Sequence, residues 1–257
     1  MTARFFADIA LVPGSTVSLP PATARHVQVL RMQPGDALTL FNGQGNGEPG
    51  GEGEFDATVQ RMGRSDVEVT VGNYTATRRE AGQTIHLALV MPANERMDWL
   101  IEKAAELGAA SIQPLMSERS VLRLKGERAD KKLSHWRGIA VAACEQCGRN
   151  RVPPIHDVAT LAEWLKIASA TADSGARLLL SLQAGARPLA EIAASAGEAA
   201  SGALTFLSGP EGGLSPAEEA AAIACGFTPV TLGPRVLRAE TAPLACLSLL
   251  TLGGARA

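Results

Sequence analysis

The hydrophobic pattern of the chain changes near residue 74, and this change constrains the fold more than any other feature. Before it, apolar and β-branched residues alternate with polar ones in four short segments: Ser15–Leu19, Ala37–Phe41, Glu54–Val59 and Asp66–Val71. A period of two is typical of strands that bury one face. Short strands separated by turn residues such as Pro34-Gly35-Asp36 predict a small β-barrel.

After the change, apolar strands alternate with segments of helical spacing. The predicted strands are Thr84–Met91, Ser111–Leu115, Arg177–Leu182, Ala203–Ser208 and Phe227–Leu232. The predicted helices are Arg96–Leu107, Ala129–Cys147, Leu161–Ser169, Pro188–Ala194, Ser215–Cys225 and Ala239–Leu252. Such alternation is typical of a parallel sheet covered by helices. We therefore predict a β-barrel domain over residues 1–73, a polar linker over 74–83 and an α/β domain over 84–257.

Composition excludes several classes of protein. Hydrophobic residues make up 46% of the 257, too many for a disordered chain. The chain contains no run of about 18 apolar residues, and Met1–Leu11 is no secretory signal, so we expect no membrane association. Four cysteines are too few for a disulfide framework, which favours the reducing cytoplasm.

Charge is distributed unevenly along the chain. The formal net charge is −2, which by itself argues against a nucleic acid partner. By segment, however, residues 1–73 carry −3, residues 74–151 carry +4 and residues 152–257 carry −3. Arg119–Arg151 alone holds nine basic and three acidic residues. This stretch can lie along a phosphate backbone, because counterion release depends on local charge, or it can be a solvated helix face.

A glycine-rich loop, Gly209–Gly213, follows the predicted strand Ala203–Ser208, and we call it the glycine loop. Ser215, Pro216 and Glu218 then have the spacing of a capping box at a helix start. A capped helix does not require the glycines and the acid that precede it. Glycines let a ligand approach the backbone, and ligands of open α/β sheets bind at the carboxyl ends of strands. The glycine loop therefore predicts a ligand site.

A second loop with unusual chemistry is Leu232–Thr241, which we call the arginine segment. It joins a predicted strand to the last helix and carries Arg235, Arg238 and Glu240. A turn requires its glycine and proline but none of these charges, so either they serve a site or they point into solvent from a capped helix. The helix that follows is uncharged over Pro243–Leu252, which favours burial in a core or an oligomer interface.

Common cofactor and metal signatures are missing. The chain has no Gly-x-Gly-x-x-Gly after a strand, no Walker loop and no Gly-x-Ser-x-Gly elbow. Cys144-Glu145-Gln146-Cys147 has no second cysteine pair at the spacing of a zinc site. It lies at the end of a predicted helix, whereas a redox Cys-x-x-Cys motif lies at the start of one. We therefore predict no metal site.

Several stretches together resemble a known family. The glycine loop with Leu214-Ser215 and the arginine segment resemble the two C-terminal cofactor loops of SPOUT methyltransferases. More narrowly, the chain resembles the ribosomal RNA small subunit methyltransferase E family, which methylates N3 of the uridine at position 1498 of 16S ribosomal RNA. Further matching stretches are His26–Arg31 with Gly35-Asp36, Lys103–Gly108, Ser117–Val121 and Glu145–Pro153. The Gly- and Glu-rich segment Asn42–Gly53 departs from the family pattern, and we predict a surface loop there.

The resemblance implies a fold, a cofactor and partners. The fold would be a PUA-like N-terminal β-barrel followed by a SPOUT α/β domain tied in a deep trefoil knot. The cofactor would be S-adenosylmethionine. The partners would be 16S ribosomal RNA in the small ribosomal subunit and a second copy of the chain in a homodimer.

The resemblance also implies roles for individual residues. The cofactor-binding residues would be Leu182, Gly209, Pro210, Glu211, Gly212, Gly213, Leu232, Gly233, Leu237 and Thr241. Arg238 would face the negative charge that develops on the uracil carbonyls, and Arg235 could hold the adjacent phosphate. Glu211 and Glu240 are the candidate proton acceptors, although either could bond only backbone amides.

Basic residues in both predicted domains are candidates for contact with RNA. They are Arg25, His26 and Arg31 in the barrel, and Arg119, Arg123, Arg149 and Arg151 in the α/β domain. Two other functions remain open on the sequence alone. One is a non-catalytic RNA-binding assembly factor with the same fold, and the other is a SPOUT methyltransferase that acts on another RNA site.

Overall fold

A computed structural model describes residues 2–44, 52–93, 96–170, 175–196 and 202–252. The chain divides into two compact units. Unit 1 comprises Met1–Glu80 and Val141–Val152, and unit 2 comprises Ala81–Ala140 and Pro153–Ala257. The return of Val141–Val152 to unit 1 differs from the predicted single boundary. Most of the predicted loop Asn42–Gly53 lies outside the described residues.

Unit 1 is built on one sheet and one helix. Its strands are β1 (Arg4–Phe6), β2 (Thr16–Ser18), β3 (Ala37–Phe41), β4 (Gly53–Met62) and β5 (Val67–Ala76), and its helix is α1 (Pro21–Val29). The strand order is β1-β3-β4-β5-β2, in which β1 and β3 are parallel and the other neighbours are antiparallel. The predicted period of two is confirmed, because alternate residues such as Phe55, Ala57 and Val59 point into the core.

Strand β5 continues three residues into the segment predicted as linker. Tyr74 pairs with Phe55 of β4, and the two ring centroids lie 5.1 Å apart. The Tyr74 hydroxyl also donates to the backbone carbonyl of Glu52 at 2.9 Å. Aromatic packing across the strands therefore extends the sheet to Ala76.

Specific polar contacts join segment Val141–Val152 to strand β1 within unit 1. The guanidinium of Arg4 donates to Asn150 Oδ1 at 2.6 Å and to the Cys144 carbonyl at 3.0 Å. The backbone amide of Phe6 donates to Glu145 Oε1 at 2.9 Å. These partners are about 140 positions apart in the sequence, so hydrophobic spacing alone could not reveal the connection.

Unit 2 contains a parallel sheet with strand order β10-β12-β9-β11-β6-β7-β8 among the described residues. The strands are β6 (Ile85–Val90), β7 (Ser111–Met116), β8 (Ala159–Thr160), β9 (Ala176–Leu180), β10 (Arg187–Pro188), β11 (Leu204–Ser208) and β12 (Thr228–Thr231). The helices are α2 (Arg96–Glu106), α3 (Glu127–Cys147), α4 (Leu161–Ala170), α5 (Leu189–Ala196), α6 (Pro216–Ala224) and α7 (Thr241–Thr251). Helix α3 belongs to unit 2 as far as Ala140.

The predicted strand–helix alternation is confirmed. The central strands are buried, with Leu87 and Leu89 of β6 and Phe206 and Leu207 of β11 at most 1% exposed. Because β12, β9 and β11 are parallel neighbours, the loops that follow them meet at one edge of the sheet. Among the described residues, no helix is long and apolar enough to cross a membrane, and no group of three or more His, Cys, Asp and Glu side chains could hold a metal ion.

Candidate active site

A cavity of about 600 Å³ lies at the carboxyl ends of β9, β11 and β12. Its wall combines the residues after β9, the glycine loop and the arginine segment. The predicted site residues on this wall are Leu182, Gly209, Pro210, Glu211, Gly212, Gly213, Leu232, Arg235, Leu237 and Arg238. Gly233, Glu240 and Thr241 do not line it. The strands thus bring together three segments from different parts of the sequence.

The glycine loop requires glycine at specific positions. Gly213 has φ +67°, a left-handed conformation that side chains disfavour. A Cβ on Gly209 would lie 3.0 Å from the amide nitrogen of Leu214, which would crowd the turn. The loop ends in the predicted capping box, where Ser215 Oγ accepts from the Glu218 amide at 3.2 Å and Glu218 Oε2 accepts from the Ser215 amide at 2.9 Å. The backbone path of the loop is therefore tightly defined.

Arg119 lines the cavity and supports the glycine loop. Its Nη1 donates to the carbonyl of Gly212 at 2.8 Å and to that of Leu214 at 3.2 Å. The neighbouring Glu118 amide donates to Glu218 Oε1 at 2.8 Å. We predicted RNA contact for Arg119, but its guanidinium is engaged with the loop that lines the cavity. This makes it a structural support of the site.

Arg96, at the start of α2, is a wall residue that we did not predict. Its Nη1 donates to Glu211 Oε1 at 3.1 Å, and its Nε lies 3.7 Å from Glu240 Oε1. Glu211 Oε1 also accepts from the backbone amide of Ala93 at 2.9 Å. The two glutamates are 115 and 144 positions from Arg96, so no local sequence signal links them to it.

These contacts revise the two candidate proton acceptors. Glu240 is 9% exposed and does not line the cavity, which argues against direct contact with a substrate bound there. Glu211 does line the cavity, but one of its oxygens bonds a backbone amide and Arg96. For Glu211 the structure thus favours the alternative in which the carboxylate bonds a backbone amide. Glu240 makes no such bond in the described part of the chain, and its Oε1 lies 3.7 Å from Arg96 Nε.

A polar corner of the cavity is formed by residues that we did not predict. It consists of Ser181 and Gln183, which follow β9, and Glu219 of α6. Gln183 Nε2 donates to Glu219 Oε2. Burial raises the pKa of the Glu219 carboxyl, an effect partly offset by a hydrogen bond with Ser181 and by the charge of Arg119. This corner places hydrogen-bonding groups beside the apolar side chains of Leu182 and Leu232 on the same wall.

Arg235 and Arg238 are exposed on the cavity wall, as a role in substrate binding requires. The Arg238 carbonyl accepts from the amides of Thr241 and Ala242 at 2.9 and 3.1 Å. These bonds anchor its backbone to the first turn of α7. Its side chain is consequently carried by a defined backbone and not by a free loop tip.

The RNA candidates of unit 1 lie on α1 and just after it. Arg25 and Arg31 are exposed. His26 is 44% exposed at its side chain, and its Nδ1 lies 3.1 Å from Glu145 Oε2. Arg31 adopts φ +56° and is the non-glycine residue with positive φ among the described residues.

Arg149 is buried and paired with a carboxylate, which argues against its predicted contact with RNA. The residue is 6% exposed, and its Nε and Nη2 lie 2.8 and 2.6 Å from Glu80 Oε2. Arg151 keeps a side chain 46% exposed, with Nη2 3.2 Å from Glu52 Oε1. Arg123 is also exposed, and its Nη2 donates to the Glu118 carbonyl at 3.0 Å. Arg123 and Arg151 remain candidates for RNA contact.

Comparison with known proteins gives the family. Residues 79–251 match the family model of the RNA methyltransferase domain, and residues 19–48 match that of the RNA methyltransferase PUA domain. Ribosomal RNA small subunit methyltransferase E of Buchnera aphidicola is 30% identical over 250 residues, which cover 97% of this chain and 95% of the relative. The chain belongs to the ribosomal RNA small subunit methyltransferase E family.

Solved structures of similar proteins have the same fold. One is a ribosomal RNA small subunit methyltransferase E from Neisseria gonorrhoeae bound to S-adenosyl methionine, 37% identical with a TM-score of 0.86 over 97% of this chain and 96% of that one. Another is a methyltransferase from Legionella pneumophila in complex with the same cofactor, 34% identical with a TM-score of 0.86 over 97% of both chains. A PUA-like N-terminal domain and a parallel-sheet methyltransferase domain, as predicted, are therefore confirmed.

Proposed function

We propose that this protein uses S-adenosylmethionine to methylate N3 of the uridine at position 1498 of 16S ribosomal RNA in the small ribosomal subunit. The observation that carries the proposal is the cavity at the carboxyl ends of β9, β11 and β12, with two arginines exposed on its wall. Family membership supplies the reaction class, because the relatives of nearly equal length are ribosomal RNA methyltransferases.

The residues of the cavity fit the cofactor. A volume of about 600 Å³ lies within the usual range for sites of small ligands. Leu182 and Val236 are 68% and 77% exposed on its wall, which suits an aromatic base. The corner formed by Ser181, Gln183 and Glu219 suits ribose hydroxyls or an amino group. The glycine loop offers backbone groups without intervening side chains.

The chemistry requires control of charge and alignment. S-adenosylmethionine supplies an electrophilic methyl group. Uracil N3 carries a proton that must pass to an acceptor, for which Glu211 is the candidate on the cavity wall, and its loss leaves negative charge on N3 and the neighbouring carbonyl oxygens. Arg238 on the cavity wall stabilises that charge, and Arg235 holds the phosphate beside the target nucleotide. Fixed positions for both reactants contribute much of the rate in a displacement of this kind.

Exposed basic residues within each unit are the candidates for contact with RNA. Arg25, His26 and Arg31 contribute from unit 1 and Arg123 from unit 2, while Arg151 contributes from the segment that returns to unit 1. Contacts spread over several elements favour a shaped RNA as substrate, such as an assembled subunit, over free uridine. Action on ribosomal subunits places the protein in the cytoplasm.

Two further properties belong to the proposal. The chain after β12 lines the same cavity as the glycine loop. It then continues into α7, which packs against α2 and β11, and this return path is compatible with a deep trefoil knot.

The homodimer is supported by exposed apolar side chains. Helix α7 exposes Leu249 by 49%, and α2 exposes Trp99 by 48%. Apolar side chains exposed on two contacting helices support a homodimer.

Methyl mapping of 16S ribosomal RNA tests the function. RNA from cells with and without the gene is compared nucleotide by nucleotide. We expect the N3 methyl group at position 1498 to depend on the gene and to return with the wild-type copy. A gene-dependent methyl group at another nucleotide would show a different RNA target. Absence of any change, together with no heat of S-adenosylmethionine binding in calorimetry, would identify a non-catalytic assembly factor.

A further inference from the structure

The cavity wall contains one cation that contacts carboxylates from both neighbouring loops. Glu211 belongs to the glycine loop and Glu240 to the arginine segment, and Arg96 of α2 lies within 4 Å of both, at 3.1 and 3.7 Å. The three residues all belong to unit 2. The Ala93 amide, just after β6, donates to the same oxygen of Glu211. A third part of the fold is thus joined to the two loops.

The burial of Glu240 makes this cation necessary. Glu240 is nine-tenths buried, and its Oε2 accepts no hydrogen bond in the described part of the chain. A buried carboxylate is costly unless a cation lies close by. Without Arg96, two carboxylates at the junction of the loops would lose their shared counter-charge, and the loops would separate to let water reach them.

The guanidinium group suits this position. Its nitrogens form a planar fork, so Nη1 can bond Glu211 while Nε faces Glu240. A lysine ammonium could replace the charge but would serve two separated carboxylates less well.

We propose that Arg96 is a positioning residue that holds the glycine loop and the arginine segment together in the arrangement that binds S-adenosylmethionine. This inference rests on the proposed function, because it takes the cavity as the cofactor site. Arg96 acts through Glu211 and Glu240 and sets cofactor affinity, while the chemical step depends on other residues.

Calorimetry with the full-length protein tests the assignment, with S-adenosylmethionine and S-adenosylhomocysteine as probes. We expect Arg96→Gln to raise Kd for both by about tenfold or more, and Arg96→Lys to raise it less. Glu211→Gln also weakens binding, and Arg96→Gln in that background costs several-fold less than in the wild type, because the two share one interaction. Arg128→Gln, an exposed arginine on α3 that does not line the cavity, is the matched control and keeps the wild-type Kd.

Steady-state kinetics separate positioning from a direct role in the reaction. With small subunits that lack the methyl group, Arg96→Gln should raise KM for S-adenosylmethionine and leave kcat within about threefold of wild type. A Kd within twofold of wild type for Arg96→Gln, or a large loss of kcat at unchanged KM, overturns the proposal. If Arg96→Gln does not fold by circular dichroism, Arg96→Lys and Glu211→Gln carry the test, and a wild-type Kd for both overturns it. Absence of binding to the wild-type protein would instead contradict the proposed function itself.

Discussion

Arg119 donates a hydrogen bond of 2.8 Å to the backbone carbonyl of Gly212, so a side chain that follows β7 holds the loop that follows β11. A second bond from the same nitrogen reaches the carbonyl of Leu214 at 3.2 Å. Arg119 thus resembles Arg96 in its contacts, since each joins the glycine loop to another part of unit 2. The cavity is therefore supported by Arg119, which the sequence alone assigned to RNA binding, and by Arg96, which the sequence alone marked only as the start of a helix.

Replacement of Arg119 should weaken cofactor binding and leave RNA binding nearly unchanged. Arg119→Gln removes the charged donor to the Gly212 carbonyl, a loss of about 1 kcal/mol or about fivefold in Kd for S-adenosylmethionine by calorimetry. The slope of log RNA affinity against log salt should stay at the wild-type value. A slope flatter by about one unit would return Arg119 to the phosphate contacts that we first predicted.

The basic stretch Arg119–Arg151 shows what local charge can and cannot reveal. Arg149 and Arg151 are two positions apart and look alike in the sequence, yet one is 6% exposed as a residue and the other is 46% exposed at its side chain. The difference comes from Glu80, which accepts from the Arg149 guanidinium and from the amides of Asn150 and Arg151. A partner about 70 positions away in the sequence leaves no periodic signal.

The ion pair of Arg149 with Glu80 should contribute strongly to stability. The two side chains are 7% and 11% exposed, so removal of Arg149 leaves the buried Glu80 carboxylate with backbone amides but without this ion pair. We expect Arg149→Ala to lower the free energy of unfolding by about 3–5 kcal/mol in urea titrations. Arg61→Ala breaks exposed pairs with Asp66 and Glu68 and serves as the control, with a much smaller loss of stability. Equal losses in the two variants would contradict a structural role for the buried pair.

Asp98 should make stability depend on pH in the acid range. Its Oδ1 accepts from Trp136 Nε1 and its Oδ2 lies 2.8 Å from His135 Nε2, which joins α2 to α3. Burial acts to raise the pKa of Asp98, but hydrogen bonds from His135 and Trp136 and the charge of Lys132 outweigh it and hold the pKa below its usual value of 3.8.

The sign of this dependence follows from proton binding. Because the pKa of Asp98 is lowered in the folded state, the unfolded chain binds the proton more readily. The contribution of Asp98 to stability is therefore complete above pH 3.8 and is lost as the pH falls through the pKa of the folded state. The difference in unfolding free energy between wild type and Asp98→Asn should be the same at about pH 6 and about pH 5, and it should shrink below about pH 4. A difference that grows on acidification would contradict the assignment.

Pattern and local chemistry were enough to predict most elements of unit 2. The predicted capping box at Ser215 uses only neighbours in the chain and is confirmed. Gly108, with φ +91°, follows the end of α2 and likewise depends on local conformation alone. Helix α1 was not predicted, because it packs Thr23, Ala24 and Val27 against the sheet of unit 1 without a marked apolar stripe. The contacts of Arg96, by contrast, depend on how distant loops fold together.

Arg31 occupies a position where glycine would be the more stable choice. The Arg31 amide donates to the Gln28 carbonyl at 2.9 Å and the Met32 amide to the Val27 carbonyl at 3.4 Å, which together form a Schellman motif at the end of α1. The left-handed residue of this motif is usually glycine, and arginine at φ +56° is strained there. An exposed arginine in this conformation suggests that its side chain serves RNA binding at some cost in stability.

Arg31→Gly should therefore raise stability and lower RNA affinity in the same protein. We expect the free energy of unfolding to increase by about 0.5–1 kcal/mol, because glycine adopts positive φ without strain. The slope of log RNA affinity against log salt should flatten by about one unit, as for loss of one phosphate contact. Arg25→Ala, on the exposed face of the same helix, is the comparison, with a similar change of slope but no gain in stability. Unchanged RNA affinity in Arg31→Gly would show that the strained arginine is retained for a reason other than RNA.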